Sequence, residues 1–172
     1  LQVKIKEREP MARIFTIANN SFYIDKDFVR LPLSTRFSAN VPVFTHCPLD
    51  KTKWNKADSA VLLQIKSISE YISADPFWLA QIEQVNVTPQ QTFELSPQLG
   101  DHVIVLGDGY NLEQKFRKLY IFYKEVLSKL GWNTYSIINV QYKGQVVATR
   151  KDTTRNIILT KPLENNNRHE TQ

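Results

Sequence analysis

The stretch Phe93–Lys151 constrains the fold most, because it carries strand, turn, helix and two further strands in one unbroken order. Phe93-Glu94-Leu95-Ser96 leads to the apolar run His102–Leu106, which closes on Gly107-Asp108-Gly109. From Asn111 to Leu130, the residues Leu112, Phe116, Leu119, Tyr120, Tyr123, Val126, Leu127 and Leu130 recur at helical spacing and predict one buried stripe. Asn111 with Gln114 three residues on has the capping-box pattern, and Gly131 stands where a helix C′ residue is expected. Tyr135–Tyr142 and Gln145–Arg150 then read as strands. No run of equal length and pattern follows the last of them. It is therefore expected to lie at a sheet edge, with unpaired N–H and C=O groups on its outer side.

The chain before Phe93 supplies short strands and one more helix. Leu1–Glu7 alternates apolar and polar residues from its first position, as a half-buried strand does, and Arg8-Glu9-Pro10 breaks it. Met11–Ile17 and Phe22–Ile24 read as a hairpin around Asn19-Asn20. Asp25-Lys26-Asp27 resembles the start of a calcium loop. Arg30 and Arg36 occupy the places of its glycine and closing glutamate, so these acids are expected to be solvated turn residues. Val41, Val43 and Phe44 suggest a strand that Pro42 assigns to an edge or bulge. A helix Asp58–Ser73 is predicted, with Asp58 as N-cap, a stripe of Val61, Leu62, Ile65, Ile68, Tyr71 and Ile72, and Asp75-Pro76 as its stop. Phe77-Trp78-Leu79 is expected to lead into a strand over Gln81–Val87.

The fold class this predicts is α+β: a mixed or antiparallel sheet with two packed helices, Asp58–Ser73 and Asn111–Leu130. The polar segment Lys161–Gln172 reads as a tail, interrupted upstream by the apolar patch Ile157-Ile158-Leu159.

Composition narrows the function classes. A net charge of +5 is mild for 172 residues, and Lys51, Lys53 and Lys56 read as a solvated loop more readily than as a polyanion site. The single cysteine, Cys47, excludes an internal disulfide and is expected to be a small buried apolar residue. His46, His102 and His169 show no zinc-site spacing, so no metal and no cofactor is assigned. There is no Gly-x-Ser-x-Gly elbow, and the glycines at 107 and 109 lack the Lys-Ser/Thr of a phosphate loop. No apolar run is long enough to span a bilayer.

Several of these segments together resemble one family. Phe93-Glu94-Leu95-Ser96-Pro97, Asp101–Gly107 and Lys115-Phe116-Arg117-Lys118-Leu119 are similar to the β-domain of the bacterial cell-division protein family FtsQ/DivIB. In that family a strand ending in a Leu-Gly turn precedes a Lys-Phe-x-x-Leu helix. Ile138–Tyr142 looks like its penultimate strand and Val146–Arg150 like its last. Val3–Ala12 resembles the Glu-Arg-x-Pro-x-Ala junction between its small POTRA domain and the β-domain, and Phe22–Asp25 the hairpin after it. The wording of Gly107–Tyr123 looks most like the Bacteroidetes branch. Two departures stand out. Asn139-Val140-Gln141-Tyr142 replaces the family's Asp-Leu-Arg-Tyr, and Phe28 stands where a glycine often follows the Asp turn.

The resemblance implies an end of a POTRA domain and junction over 1–12, an FtsQ-type β-domain over 13–151 and a tail over 152–172. It implies a piece of a single-pass inner-membrane protein, periplasmic here, that is not an enzyme and binds FtsB and FtsL in the divisome. The expected contact strip is Tyr142, Gln145, Val147, Thr149 and Arg150. Only Tyr142 comes from the family pattern; the others follow from the edge expectation. A proline at Val147 is expected to abolish partner binding. An exported envelope-biogenesis adaptor using the same edge, and an enzyme with a dispersed site, are the alternatives.

Overall fold

A computed structural model describes residues 7–34, 38–51 and 53–151. The strand expected over Leu1–Glu7 and the patch Ile157–Leu159 therefore lie outside the described residues, apart from Glu7. The strands are β1 (Ala12–Thr16), β2 (Ser21–Ile24), β3 (Arg30–Leu31), β4 (Val43–Cys47), β5 (Ile82–Val87), β6 (Phe93–Pro97), β7 (Val103–Gly107), β8 (Tyr135–Asn139) and β9 (Val147–Arg150). They form one mixed sheet in the order β3-β2-β1-β4-β5-β6-β7-β8-β9. β4 runs parallel to both β1 and β5, and β7 parallel to β8, while the remaining pairs are antiparallel. The fold is thus α+β with a mixed sheet, as the patterning predicts.

One cross-strand row carries the core. Phe22, Ile14, Phe44, Val85, Leu95, Ile104, Ile138 and Ala148 stand opposite one another through all the intervening registers. All but Ala148 are buried, and Ala148 packs against the same cluster. Residues facing each other across strands project to one side of a sheet, so this row marks the face covered by helices. Neighbouring positions Thr45, Asn86, Glu94, Val105, Asn139 and Val147 form the matching row on the other face, and none of them is buried.

The helices are α1 (Lys56–Ala74), α2 (Pro76–Gln81) and α3 (Leu112–Phe122), the last continuing through a π-helical turn, Tyr123–Leu127, into a final turn ending at Leu130. α1 begins earlier than expected. Asn55 is its N-cap, and Asp58 is the third helical residue of a two-way capping box: Asp58 N–H donates to Asn55 Oδ1 at 2.9 Å and Asn55 N–H to Asp58 Oδ2 at 2.8 Å. Phe77-Trp78-Leu79 forms α2, not a lead-in strand. Asp75 ends α1 and caps α2, accepting from Phe77 N–H at 2.9 Å, with Pro76 at the first helical position. The capping box expected at Asn111 does not form. Asn111 adopts the left-handed conformation (φ 52°) and makes no side-chain cap bond.

Pro42 does not mark an edge. It precedes β4, which lies inside the sheet and runs on to Cys47, and its carbonyl accepts from Arg13 N–H at 3.0 Å. Asp25 is buried, not solvated. Its Oδ1 accepts from Val29 N–H at 2.8 Å and Asp27 N–H at 2.9 Å, and its other oxygen meets the Arg8 guanidinium. Burial alone would raise its pKa; the two N–H donors and Arg8 outweigh that and hold it below the usual carboxylate range. Phe28 closes this turn at φ 61°, the left-handed geometry that a glycine would supply at less cost. Cys47 is fully buried and its thiol is pushed up to about 12.

His102 is buried between the sheet and α3. Its Nε2 lies 3.0 Å from the Tyr123 hydroxyl and its Nδ1 3.4 Å from the Trp132 carbonyl. Asp101, itself ion-paired with Lys151, adjoins it in sequence. Burial lowers the His102 pKa below its ordinary value. The unfolded chain therefore binds a proton that the folded one refuses. Stability is full above about pH 6.5 and falls as pH drops from there toward the folded pKa. The urea midpoint is expected to fall between about pH 7.5 and 5.5, and His102→Gln to flatten that slope. An unchanged slope in the variant would assign the loss to other groups.

Candidate interaction edge

β9 ends the sheet, with β8 as its single neighbour among the described residues. Its register is Val147 opposite Asn139, Ala148 opposite Ile138, Thr149 opposite Ile137 and Arg150 opposite Tyr135. Lys151 N–H donates inward to the Thr134 carbonyl at 3.1 Å, and the Thr149 carbonyl accepts from the Ser136 hydroxyl at 3.2 Å. On the far side of β8, Val140 N–H donates to Val105 of β7 at 3.0 Å. Alternation along an antiparallel strand then points the backbone groups of Val147, Thr149 and Lys151 toward β8. Those of Ala148 and Arg150 point outward.

This geometry bears on three expectations. A proline at Val147 would remove an inward N–H of the β8–β9 ladder, so it tests the fold and not the free edge. Ala148, absent from the expected strip, supplies the outward N–H and C=O at mid-strand. Tyr142 lies outside the penultimate strand, because β8 ends at Asn139. Tyr142 and Gln145 sit in the 140–146 connection, and both are exposed. Of the expected strip, only Val147, Thr149 and Arg150 share the edge strand itself.

The side chains around this edge differ by face. On the open face, Val147 (46% exposed) lies beside Asn139. Ile137 (40%) stands between Thr149 and Val103 (37%), and Val147, Ile137 and Val103 together leave an apolar strip beside the outward-facing backbone. On the helical face, Val146 and Ala148 pack on the core, and the Arg150 guanidinium lies 5.7 Å above the Tyr135 ring. Both ends of β9 are tied. Lys151 pairs with Asp101 at one end, and the Lys118 ammonium binds carbonyls of the 140–146 connection at the other.

The helix motif explains itself in this setting. The buried Lys115 Nζ donates to Asp108 Oδ1 at 2.6 Å and to the Asp108 carbonyl at 2.8 Å, closing the turn that the sequence marks with Gly107 and Gly109. At Gly109 a Cβ would meet Gln64 Cβ at 2.8 Å, so only glycine allows that approach to α1. Phe116 and Leu119 are buried, while Lys118 reaches outward to the connection.

No group of three or more His, Cys, Asp or Glu residues able to hold a metal occurs among the described residues. No helix among them is long and apolar enough to cross a membrane.

A helix-backed mixed sheet whose last strand is short, tied at both ends and paired on one side among the described residues defines a class of α+β domain. Over residues 9–149 the chain matches the protein-family model FtsQ/DivIB, C-terminal related, and it belongs to that family. The family is one of non-enzymatic cell-division scaffolds, generally membrane-anchored, and membership gives the chain a role in cell division with divisome proteins as its partners. No curated protein matches the chain.

Proposed function

We propose that this domain is a non-enzymatic divisome scaffold that binds FtsB, and FtsL with it, by accepting a partner strand along β9. The observation that carries this is the pair of outward-facing backbone sites at Ala148 and Arg150 on a terminal strand. Strand addition takes its hydrogen bonds from such groups and its specificity from alternate side chains. On the open face the added strand would extend the strip of Val147, Ile137 and Val103; on the helical face it would run beside Ala148 and Arg150. Val147, Thr149 and Arg150 are contacts along the strand in this proposal, and Tyr142 and Gln145 are contacts at its end. The domain boundaries 1–12, 13–151 and 152–172, and a periplasmic position below a single inner-membrane helix, belong to the same proposal.

The test is hydrogen exchange with and without the extracytoplasmic segment of the FtsB homologue from the same genome. The expected result is new protection at the amides of Ala148 and Arg150, which have no ladder partner among the described residues. Protection confined to the β3 side of the sheet, or none at saturating segment, overturns the proposal. Capture of a different envelope protein at β9, with no FtsB binding, would favour the adaptor alternative.

A further inference from the structure

We infer that Lys118 is a positioning residue for the β9 edge: its ammonium gathers the β8–β9 connection and so holds the edge strand in register. The inference rests on β9 being the binding edge. Lys118 Nζ donates to the Val140 carbonyl at 2.8 Å, to the Gln145 carbonyl at 3.1 Å and, closely, to the Tyr142 carbonyl. An ammonium has three N–H donors, and these three carbonyls match them. All three belong to one connection, over 140–146, although Lys118 itself sits on α3.

The connection needs such a tie. A two-residue hairpin turn fixes strand register through its own backbone geometry. The span from Val140 to Val146 is too long for that. Its local supports are an Asn139 Oδ1 acceptor for Gln141 N–H at 3.0 Å and Gly144 at φ 73°. β9 itself has four residues and one described neighbour, so a slip of one position would exchange its two faces. Such a slip would move Val147 and Thr149 off the open face and turn the backbone of Ala148 inward. Lys118 opposes it by tying the start of β9 to a helix that is itself anchored in the core through Phe116 and Leu119. Lys151 with Asp101 does the same at the far end.

Lys118 is half-buried and meets carbonyls there, not a carboxylate, and burial lowers its pKa. A lysine serving only surface charge would have no reason to accept that desolvation.

Chemical rescue separates the ammonium from the bulk of the side chain. Lys118→Cys removes the ammonium. Alkylation with 2-bromoethylamine then restores one on a chain of nearly lysine length. Cys47 is fully buried with its thiol pushed up to about 12, so the folded protein reacts at position 118. In the free domain, exchange of the inward-facing amides of Val147, Thr149 and Lys151 is expected to quicken about tenfold or more in Lys118→Cys, the scale of one lost charge-assisted hydrogen bond, and to return after alkylation. Amides of β4 and β5 should not change. Affinity for the FtsB segment should fall and recover in parallel. Unchanged exchange at Val147, Thr149 and Lys151, or exchange that alkylation does not restore, overturns the role of the ammonium. Wild-type affinity in Lys118→Cys, with binding still mapped to Ala148 and Arg150, overturns positioning for binding while leaving the edge proposal standing. Binding mapped away from β9 in the unmodified protein defeats the edge proposal, and the exchange arm still decides what Lys118 does to the strand.

Discussion

Ala148→Pro is expected to lower affinity for the FtsB segment by more than about 100-fold while leaving the domain folded. The size follows from one deleted main-chain hydrogen bond at the centre of a short augmenting strand, together with the proline ring standing where the partner backbone must lie. Those two losses together are of order 3 kcal/mol. The fold should tolerate the change, because an edge strand accepts proline where its N–H faces outward. Val147→Pro is the informative contrast. Its N–H faces β8, so that variant should lose thermal stability and loosen β9 before any partner is added. Binding titrations and thermal melts on the two variants give a crossed outcome: affinity lost with stability kept for Ala148→Pro, and stability reduced for Val147→Pro. If Ala148→Pro binds normally in a folded domain, no strand is added on that side of β9.

The contrast between those two neighbours shows where the sequence stops being informative. Apolar periodicity located the β strands of the Phe93–Arg150 stretch, the α1 and α3 stripes and the terminal strand, because burial on one face leaves a period that can be read directly. It could not say which of two adjacent residues turns its N–H outward. That depends on register against β8, which a bulge near Ser136 and the long 140–146 connection set together. Tyr142 looked like a strand residue because its neighbours are β-prone. The strand stops at Asn139, where the carbonyls of the connection turn to Lys118 instead of to a ladder. Asp25 looked like a solvated turn acid because its neighbours are charged, yet Arg8, distant in sequence, makes its burial possible. On its residues alone Phe77-Trp78-Leu79 reads as a lead-in to the strand over Gln81–Val87. Asp75 and Pro76, read as a stop for α1, are equally a start signal for α2, and tertiary packing of Trp78 against Phe116 and Tyr123 decides it. Lys118 gave no separate signal. Within Lys115-Phe116-Arg117-Lys118-Leu119 it occupies a variable position of the family pattern, and its partners lie more than twenty residues on.

Phe116→Ala is expected to be the most damaging single core substitution in this half of the domain. Phe116 is 1% exposed, with its ring 4.7 Å from Tyr71 in a stacked arrangement and 4.8 Å from Trp78 edge-on. Its ring thus joins α3 to both α1 and α2. Truncation removes a buried ring and leaves a cavity lined by two large aromatics that cannot collapse together, which places the loss at about 3–5 kcal/mol. For a domain of this size that corresponds to a melting temperature lower by roughly 10 °C or more. Ile121→Ala, on the same helix but half exposed, should change stability by no more than about 0.5 kcal/mol. Urea titration of both variants checks the pair, and a loss below about 1.5 kcal/mol for Phe116→Ala would mean that α3 is held by contacts other than this ring cluster. The consequence reaches the edge. Lys118 lies half a turn beyond Phe116, so a loosened α3 carries its ammonium away from the three carbonyls at the start of β9. Exchange at the inward amides of Val147, Thr149 and Lys151 should therefore rise in Phe116→Ala even under conditions where most molecules remain folded, and it should stay unchanged in Ile121→Ala.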